Sequence, residues 1–370
     1  MKKKVLALAL ATTLCASAFV GCSSSSSTTT ESSNTESTEA TGEAGEYAMI
    51  SGTTVPDAHP YNLGLTKMGE LLSEKTNGAV TLDVFGNSQL GSERDLIEGL
   101  QLGSVQVTCV STAPLSGFTD AFLVFDLPFL FETSEEARAV MDSEVGMEIL
   151  HSVDEQGMVG LAWFENGFRN VTNSKLPIET PDDLKGIKIR TMENPMHMAA
   201  FQIMGADPTP MAMGEVFTAL QQGTIDAQEN PVPIIETNKF DEVQTYLSMT
   251  GHLFSPAPVF IGKAYFDALP AEYQTAVQEA ADEAVPYQRE QIDLQNESGL
   301  EALQERGMQV NYPDKAAFQE ATAPIYEQYI KDEAGCVSPD IYNRVLDVLA
   351  SVDGGATTET TETTTEAAAE

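Results

Sequence analysis

The sequence predicts an α/β protein with two lobes, and three observations carry that reading. From Tyr47 onward, short apolar runs alternate with stretches of helical periodicity, the pattern of mostly parallel sheets covered by helices. The alternation comes in two sets, the second beginning near Phe168. One long helical stretch, about 271–306, follows both sets. It holds no glycine except Gly299 and only Pro286 as a kink.

The elements follow in order. Residues 47–51 read as a strand and 60–75 as a helix that stops at Asn77-Gly78. AVTLDVF (79–85) is a strand, Ser92 caps a helix running to about Leu102, and VQVTCV (105–110) is the next strand. Helices near 133–142 and 144–156 and a strand at 158–164 complete the first set. In the second set, 181–184 is a helical turn and 187–190 a strand. Residues 195–204 form a helix with Pro195 in its first turn, where the missing N–H costs nothing. Residues 215–222 are helical, 225–228 extended, and Pro231 starts another helix. Strands near 244–250 and 258–263 lead into the long helix, and helices near 314–332 and 338–350 close the fold.

The ends stand apart from this body. Lys2, Lys3 and Lys4 precede a mostly apolar, small-residue run from Val5 to Val20, the form of an export signal. It ends Phe19-Val20-Gly21-Cys22, which resembles a bacterial lipobox whose cysteine, here Cys22, is lipid-modified and becomes the first mature residue. Residues 23–46 are almost only Ser, Thr, Glu, Gly and Ala, too poor in apolar surface to offset ordering entropy, and read as a flexible tether. Residues 351–370 read as a disordered acidic tail for the same reason.

Charge excludes some partners. The chain carries 56 Asp+Glu against 19 Lys+Arg, a formal −37. Setting aside the three signal lysines and the five acids in each low-complexity flank leaves −30 on residues 47–352. Nucleic-acid binding needs a cationic face, so that class is excluded. Cys109 lies in an apolar run and reads as a buried thiol, although spacing leaves a Cys109–Cys336 disulfide open. Four scattered histidines with no HxH or HExxH pattern predict no metal site. No cofactor motif is present either.

In open α/β sheets, ligands sit beyond the carboxyl ends of the strands. Arg190 ends an apolar strand just before the helix opened by Asn194-Pro195. There its planar fork either grips a carboxylate through two parallel bonds, or the residue is an ordinary surface arginine or part of a structural ion pair. Arg169, after the turn Glu165-Asn166-Gly167, faces the same alternatives.

The stretch GADPTPMAMGEVFTALQQGTIDAQENP (205–231) closely resembles the most distinctive segment of the TRAP-transporter solute-binding proteins of the DctP type. FGNSQLGSERDLIEGL (85–100), DLPFLF (126–131), ENGFRNVTNS (165–174), PDDLKGIKIR (181–190) and VQTYLSMTGH (243–252) are similar to further motifs of that family, in the family's order. The resemblance implies a two-lobed periplasmic-binding-protein-like fold with hinge strands and a long lobe-spanning helix. Lobe I then comprises 47–166 plus 256–295, and lobe II 167–255 plus 296–350. It implies that Arg190 forms the salt bridge to a substrate carboxylate, that Arg169 assists, and that Asn230 contacts the ligand. It also implies two TRAP membrane subunits, one small and one large, as partners of a monomeric receptor; the lipobox-like Cys22 and the tether add the expectation of a lipid anchor on the outer face of the cell membrane.

Selectivity positions follow from the same resemblance. Glu93 occupies the carboxylate place of the LG-x-x-R motif that helps hold the sugar in sialic-acid binders. The further charged residues of those binders fall near Ser111 and Pro114 and are missing, which argues against sialic acid. Glu193 stands where the family usually has Asn, and Met213 where an aromatic is common. A glutamate beside the pocket accepts hydrogen bonds from hydroxyls and repels a second carboxylate, so a uronate or aldonate is preferred. Glu193 otherwise faces solvent or caps the next helix. Trp163 is either core or a stacking platform for a sugar face. Glu215 is expected to hold the 205–231 segment by hydrogen bonds, His252 to be structural near the hinge, His59 to be a loop residue, and the methionines at 192, 196, 198 and 204 to be core and lobe surface.

A non-catalytic receptor is therefore expected. Alternatives are a C4-dicarboxylate or keto-acid receptor, or a ligand receptor of a chemosensory or ATP-driven system. An enzyme is disfavoured, because there is no G-x-S-x-G, no HExxH and no Gly-rich phosphate loop.

Overall fold

The structure, a computed structural model, describes residues 45–366, with side chains as far as Val352. The export signal, Cys22 and residues 23–44 of the tether lie outside the described residues. The first set of elements is β1 (Tyr47–Gly52), α1 (Pro60–Lys75), β2 (Val80–Phe85), α2 (Glu93–Leu102), β3 (Val107–Cys109), α3 (Ser134–Met141) and α4 (Glu144–His151). Then come β4 (Met158–Asn173), β5 (Lys188–Thr191), α5 (Pro195–Ile203), β6 (Asp207–Pro210), α6 (Met213–Gln221), β7 (Ala227–Asn230), α7 (Val232–Thr237) and β8 (Tyr246–Gly262). The chain continues through α8 (Lys263–Ala268), α9 (Ala271–Glu305), β9 (Gln309–Asn311), α10 (Lys315–Tyr329) and α11 (Pro339–Glu366).

The strands of this α/β fold lie in the order β2-β1-β3-β8-β4-β7-β5-β6, with β9 beside β8. β1 runs parallel to β2 and β3, and β5 runs parallel to β6 and β7. The antiparallel pair β4–β8 joins these two parallel sets. β3 pairs with Val259–Ile261 at one end of β8, whereas β7 pairs with Asn170–Asn173 at the opposite end of β4. Each parallel set is the sheet of one lobe, and the middle of β4 and β8 is the passage between lobes. Register shifts fall at Gly160/Ala162, Glu165/Gly167 and Arg169/Val171. Such bulges bend a strand and re-aim its side chains. At the middle bulge Gly167 has φ 99°, which an L side chain rarely adopts.

Burial only partly follows that division, since the core that holds α1 and α9 extends to Val216 and Leu220 of α6 and Ile235 of α7, and Met196 and Ala200 of α5 join the core of α2, α3 and α4. Met49, Leu65, Met68 and Val107 pack with Val277, Ala280 and Ala284 of α9 in the first lobe. Ile178, Leu184, Ile187, Ile189 and Phe201 form a compact core in the second. α9 packs against α1 and β4 and also against α7, so the long helix contacts both lobes and stays continuous across Pro286.

Several boundaries differ from expectation. β4 and β8 are single strands of 16 and 17 residues, not the short apolar runs expected. Buried polar residues in mid-strand, Glu165, Asn166 and Arg169, interrupt the hydrophobic signal, while the strand continues through the bulges at Glu165/Gly167 and Arg169/Val171. β6 was not expected, because Pro208 and Pro210 argue against a strand. It lies at the sheet edge, where proline is tolerated. α11 packs against α3 and α4, so residues 339–350, expected with lobe II, lie against lobe I. Its backbone remains helical through Glu366, into the segment expected as a disordered tail. Once a helix is nucleated, each further residue adds one hydrogen bond.

Candidate functional site

Arg190 sits where the strand-end rule placed it. β5 lies between β6 and β7, and its residues Ile189, Arg190 and Thr191 are buried. Directly after it the chain turns through Met192 and Glu193 into α5. Asn194 caps that helix by accepting from the Met196 and His197 N–H groups at 2.9 and 3.1 Å. The guanidinium of Arg190 donates Nε–H to the Met211 carbonyl at 2.8 Å. It makes no other hydrogen bond and no ion pair among the described residues, although it is only 3% exposed. Burial pushes it down to about 10, against the favourable but more distant fields of Glu229, Glu93 and Glu193.

A buried, unpaired cation is costly, and Arg190, whose two Nη groups make no hydrogen bond among the described residues, lines a cleft between the lobes. From the second lobe the cleft is lined by Arg190, Met192, Glu193, Met211, Ala212 and Met213. From the first it is lined by Ser92, Glu93, Arg94 and Pro114. The space, its open mouth included, is about 400 Å³. Glu93 is the first residue of α2. Ser92 caps that helix in a capping box with Asp95, and Gly91 precedes it at φ 114°, where a Cβ would meet Asp95 at 2.7 Å. One Glu93 oxygen accepts the Ser111 N–H at 2.7 Å, which leaves the other able to accept from a hydroxyl. Arg94 is held by Glu98 at 3.1 Å and lies over the Phe118 ring at 5.3 Å.

Arg169 does not share this freedom. It is fully buried, and its Nε and Nη2 donate to the Glu229 carboxylate at 2.5 and 2.9 Å. Nη2 also donates to the Glu229 carbonyl at 2.7 Å and to Asn230 Oδ1 at 2.9 Å, leaving only Nη1 without a partner. Burial opposes the Glu229 charge. The Arg169 charge, with hydrogen bonds from His252 and Arg169, outweighs it and holds that carboxyl well below the usual range. His252 Nε2 lies 3.2 Å from Glu229, and burial depresses its basicity despite that carboxylate.

The structure thus brings Arg190, Glu93, Glu193 and Met213 to one cleft. Glu193 is exposed at the rim, and the helix cap is its neighbour Asn194. Arg169 and Asn230 belong to a buried network with Glu229. The Asn230 amide donates to Gln228 Oε1 at 2.6 Å, and neither Arg169 nor Asn230 is among the residues that line the cleft in this structure. Trp163 is a correction. It packs edge-on against Phe122 and Phe125, donates Nε1–H to the Gly146 carbonyl at 3.1 Å, and faces the core rather than the cleft. Glu215 is exposed and its side chain makes no hydrogen bond, so it does not hold the segment. His59 is not a loop residue but the buried N-cap of α1, its Nδ1 accepting the Tyr61 N–H at 3.2 Å. Met192 lines the cleft rather than only the core. Cys109 and Cys336 are free thiols. Sequence reasoning missed Met211 and Ala212. Their one signal was membership of the 205–231 segment. Arg94, the arginine of the LG-x-x-R motif, and Pro114, a place where sialic-acid binders carry charge, were named in the sequence but not singled out as cleft residues.

Fold and cleft together match a two-lobed solute-binding protein, with a buried arginine that has no ion pair on the cleft wall of one lobe. Residues 51–332 match the family described as bacterial extracellular solute-binding protein, family 7, the DctP family, and the chain belongs to it. It is 38% identical over 273 residues to the 2,3-diketo-L-gulonate-binding periplasmic protein YiaO of Escherichia coli, covering 73% of this chain and 83% of that protein. A TRAP periplasmic solute-binding protein from Polaromonas sp. JS666, solved with D-erythronate bound, is 39% identical with a TM-score of 0.78, covering 82% and 98% of the two chains. The sugar acid binding protein DctPAm from Advenella mimigardefordensis, solved with galactonate, is 34% identical with a TM-score of 0.80, covering 84% and 99%. As a member of this family the chain is an extracytoplasmic receptor, and no described helix is long and apolar enough to cross a membrane.

Proposed function

We propose that this chain captures a hydroxylated monocarboxylic acid, an aldonate, a uronate or a related sugar acid, and delivers it to the small and large membrane subunits of a TRAP-type secondary transporter. The observation that carries the reading is Arg190: buried, without an ion pair, and lining the cleft. A ligand carboxylate supplies the charge that the protein withholds, through a bidentate pair strengthened by exclusion of water. Glu93 and Glu193 on the same cleft accept hydroxyl protons and oppose a second carboxylate. The related proteins solved with D-erythronate and galactonate support an acid of this kind. The receptor acts as a monomer, held at the membrane by lipid on Cys22, and catalyses nothing.

The test is a thermal-shift screen of the protein against sugar acids, keto acids and C4 dicarboxylates. A ligand at 100 times its Kd stabilises by about 2.7 kcal/mol. Stabilisation by aldonates or uronates is expected. Stabilisation by dicarboxylates alone contradicts the substrate assignment.

A further inference from the structure

The DLPFLF motif begins with an acid that none of the roles above explains. Asp126 ends the 3₁₀ helix Ala121–Asp126 of the first lobe and is 1% exposed, yet no Arg or Lys pairs with it among the described residues. Its donors come largely from the other lobe. Asn194 Nδ2 donates to Oδ2 at 2.8 Å, and His197 Nε2 lies 3.0 Å from Oδ1. Thr112 of its own lobe is at 3.5 Å. Asn194 Nδ2 also donates to the Ala113 carbonyl at 3.2 Å, while its Oδ1 caps α5. Met192 and Glu193, immediately before Asn194, line the second-lobe wall of the cleft. Pro114, immediately after Ala113, lines the first-lobe wall.

We propose that Asp126 is an interlobe clasp, a positioning residue that does not touch the ligand but fastens the two walls of its cleft together. A buried carboxylate needs its donors. Separating the lobes takes Asn194 and His197 away from Asp126, so these bonds weigh only on the closed side of the opening equilibrium. A ligand bound between the walls leaves after they part, so the clasp sets its residence time. Apparent affinity scales with the fraction of protein able to close. The proposal rests on the receptor reading above.

The test uses the full chain and D-galactonate, D-erythronate and D-glucuronate as probes. Kd is read by calorimetry, and association and dissociation rates by stopped-flow fluorescence of Trp163, which packs on Phe122 and Phe125 of the helix that Asp126 ends. Asp126→Ala is expected to weaken binding at least tenfold, with the loss in koff. Asp126→Asn, which still offers an acceptor to Asn194, and His197→Gln, which still offers a donor, should recover part of it. If Asp126→Ala does not fold, His197→Ala removes one cross-lobe donor and leaves the α5 cap intact, with the same direction expected. Folded variants whose Kd and koff stay within twofold of the parent overturn the clasp, as does a loss confined to kon. A parent chain that binds none of the three acids overturns the sugar-acid assignment above instead.

Discussion

Arg190 and Arg169 began as equivalent candidates, two arginines at strand ends in an acidic chain. What separates them is a partner 60 residues further on. Glu229 takes the fork of Arg169, and nothing takes that of Arg190. That distinction was not legible in the sequence, because it depends on β7 lying against β4. The position of Arg190 was legible, since an apolar strand running into a capped helix fixes it. Glu93 gives a test of selectivity. Glu93→Gln keeps an acceptor but removes charge, so calorimetry should show weaker sugar-acid binding and a narrower gap against C4 dicarboxylates; an unchanged ligand profile removes Glu93 from the site. His59 gives a test of pH dependence. Burial pushes its imidazole down to about 3, whereas the unfolded chain titrates near 6.5. Between those values the unfolded state binds more protons, so stability falls as pH drops through that window. Glu229, held below its ordinary range, loses its contribution in the same direction. Urea denaturation between pH 4 and 7 should show a shallower slope for His59→Asn, which preserves a capping side chain, by about one proton at most. An identical slope excludes His59 as the source.

The elements with clean periodicity, α1, α2, β1, β2 and β5, lie within a residue or two of where composition and caps put them. The shared strands did not, and the reason is physical. In mid-passage between lobes β4 buries Glu165, Asn166 and Arg169; Glu165 is held by Arg138 at 2.7 Å and Arg169 by Glu229, while the Asn166 amide is buried without a side-chain partner among the described residues. Polar residues there read as a loop until those partners are known. Trp163 differs. An aromatic at a strand end near Arg169 fits a core more readily than a sugar platform, and its packing on Phe122 and Phe125 decides for the core and against its place among the ligand-binding residues. Gly167 tests the bulge. A Cβ there would meet nothing nearer than Asn296 Nδ2 at 3.8 Å, so Gly167→Ala should cost about 1 kcal/mol through backbone conformation alone, seen as a lowered urea midpoint with an unchanged m-value. No loss of stability contradicts the left-handed assignment.

For the whole molecule, the body at −30 binds an anion, so its global field opposes capture. At a Debye length of about 8 Å at physiological ionic strength that field is largely screened, and the cleft decides affinity. The association rate for a sugar acid should therefore rise with added salt at low ionic strength, opposite to the usual fall for oppositely charged partners; a fall would mean that the cleft's local field dominates even there. The central claim is that one buried guanidinium supplies the anchor for a hydroxylated monocarboxylate. Calorimetric titration of D-galactonate into the parent protein and Arg190→Ala tests it most directly. Loss of a bidentate, charge-assisted pair should weaken binding by on the order of 3 kcal/mol, more than a hundredfold, with the variant still folded. A folded Arg190→Ala protein that binds within a few-fold of the parent would contradict it.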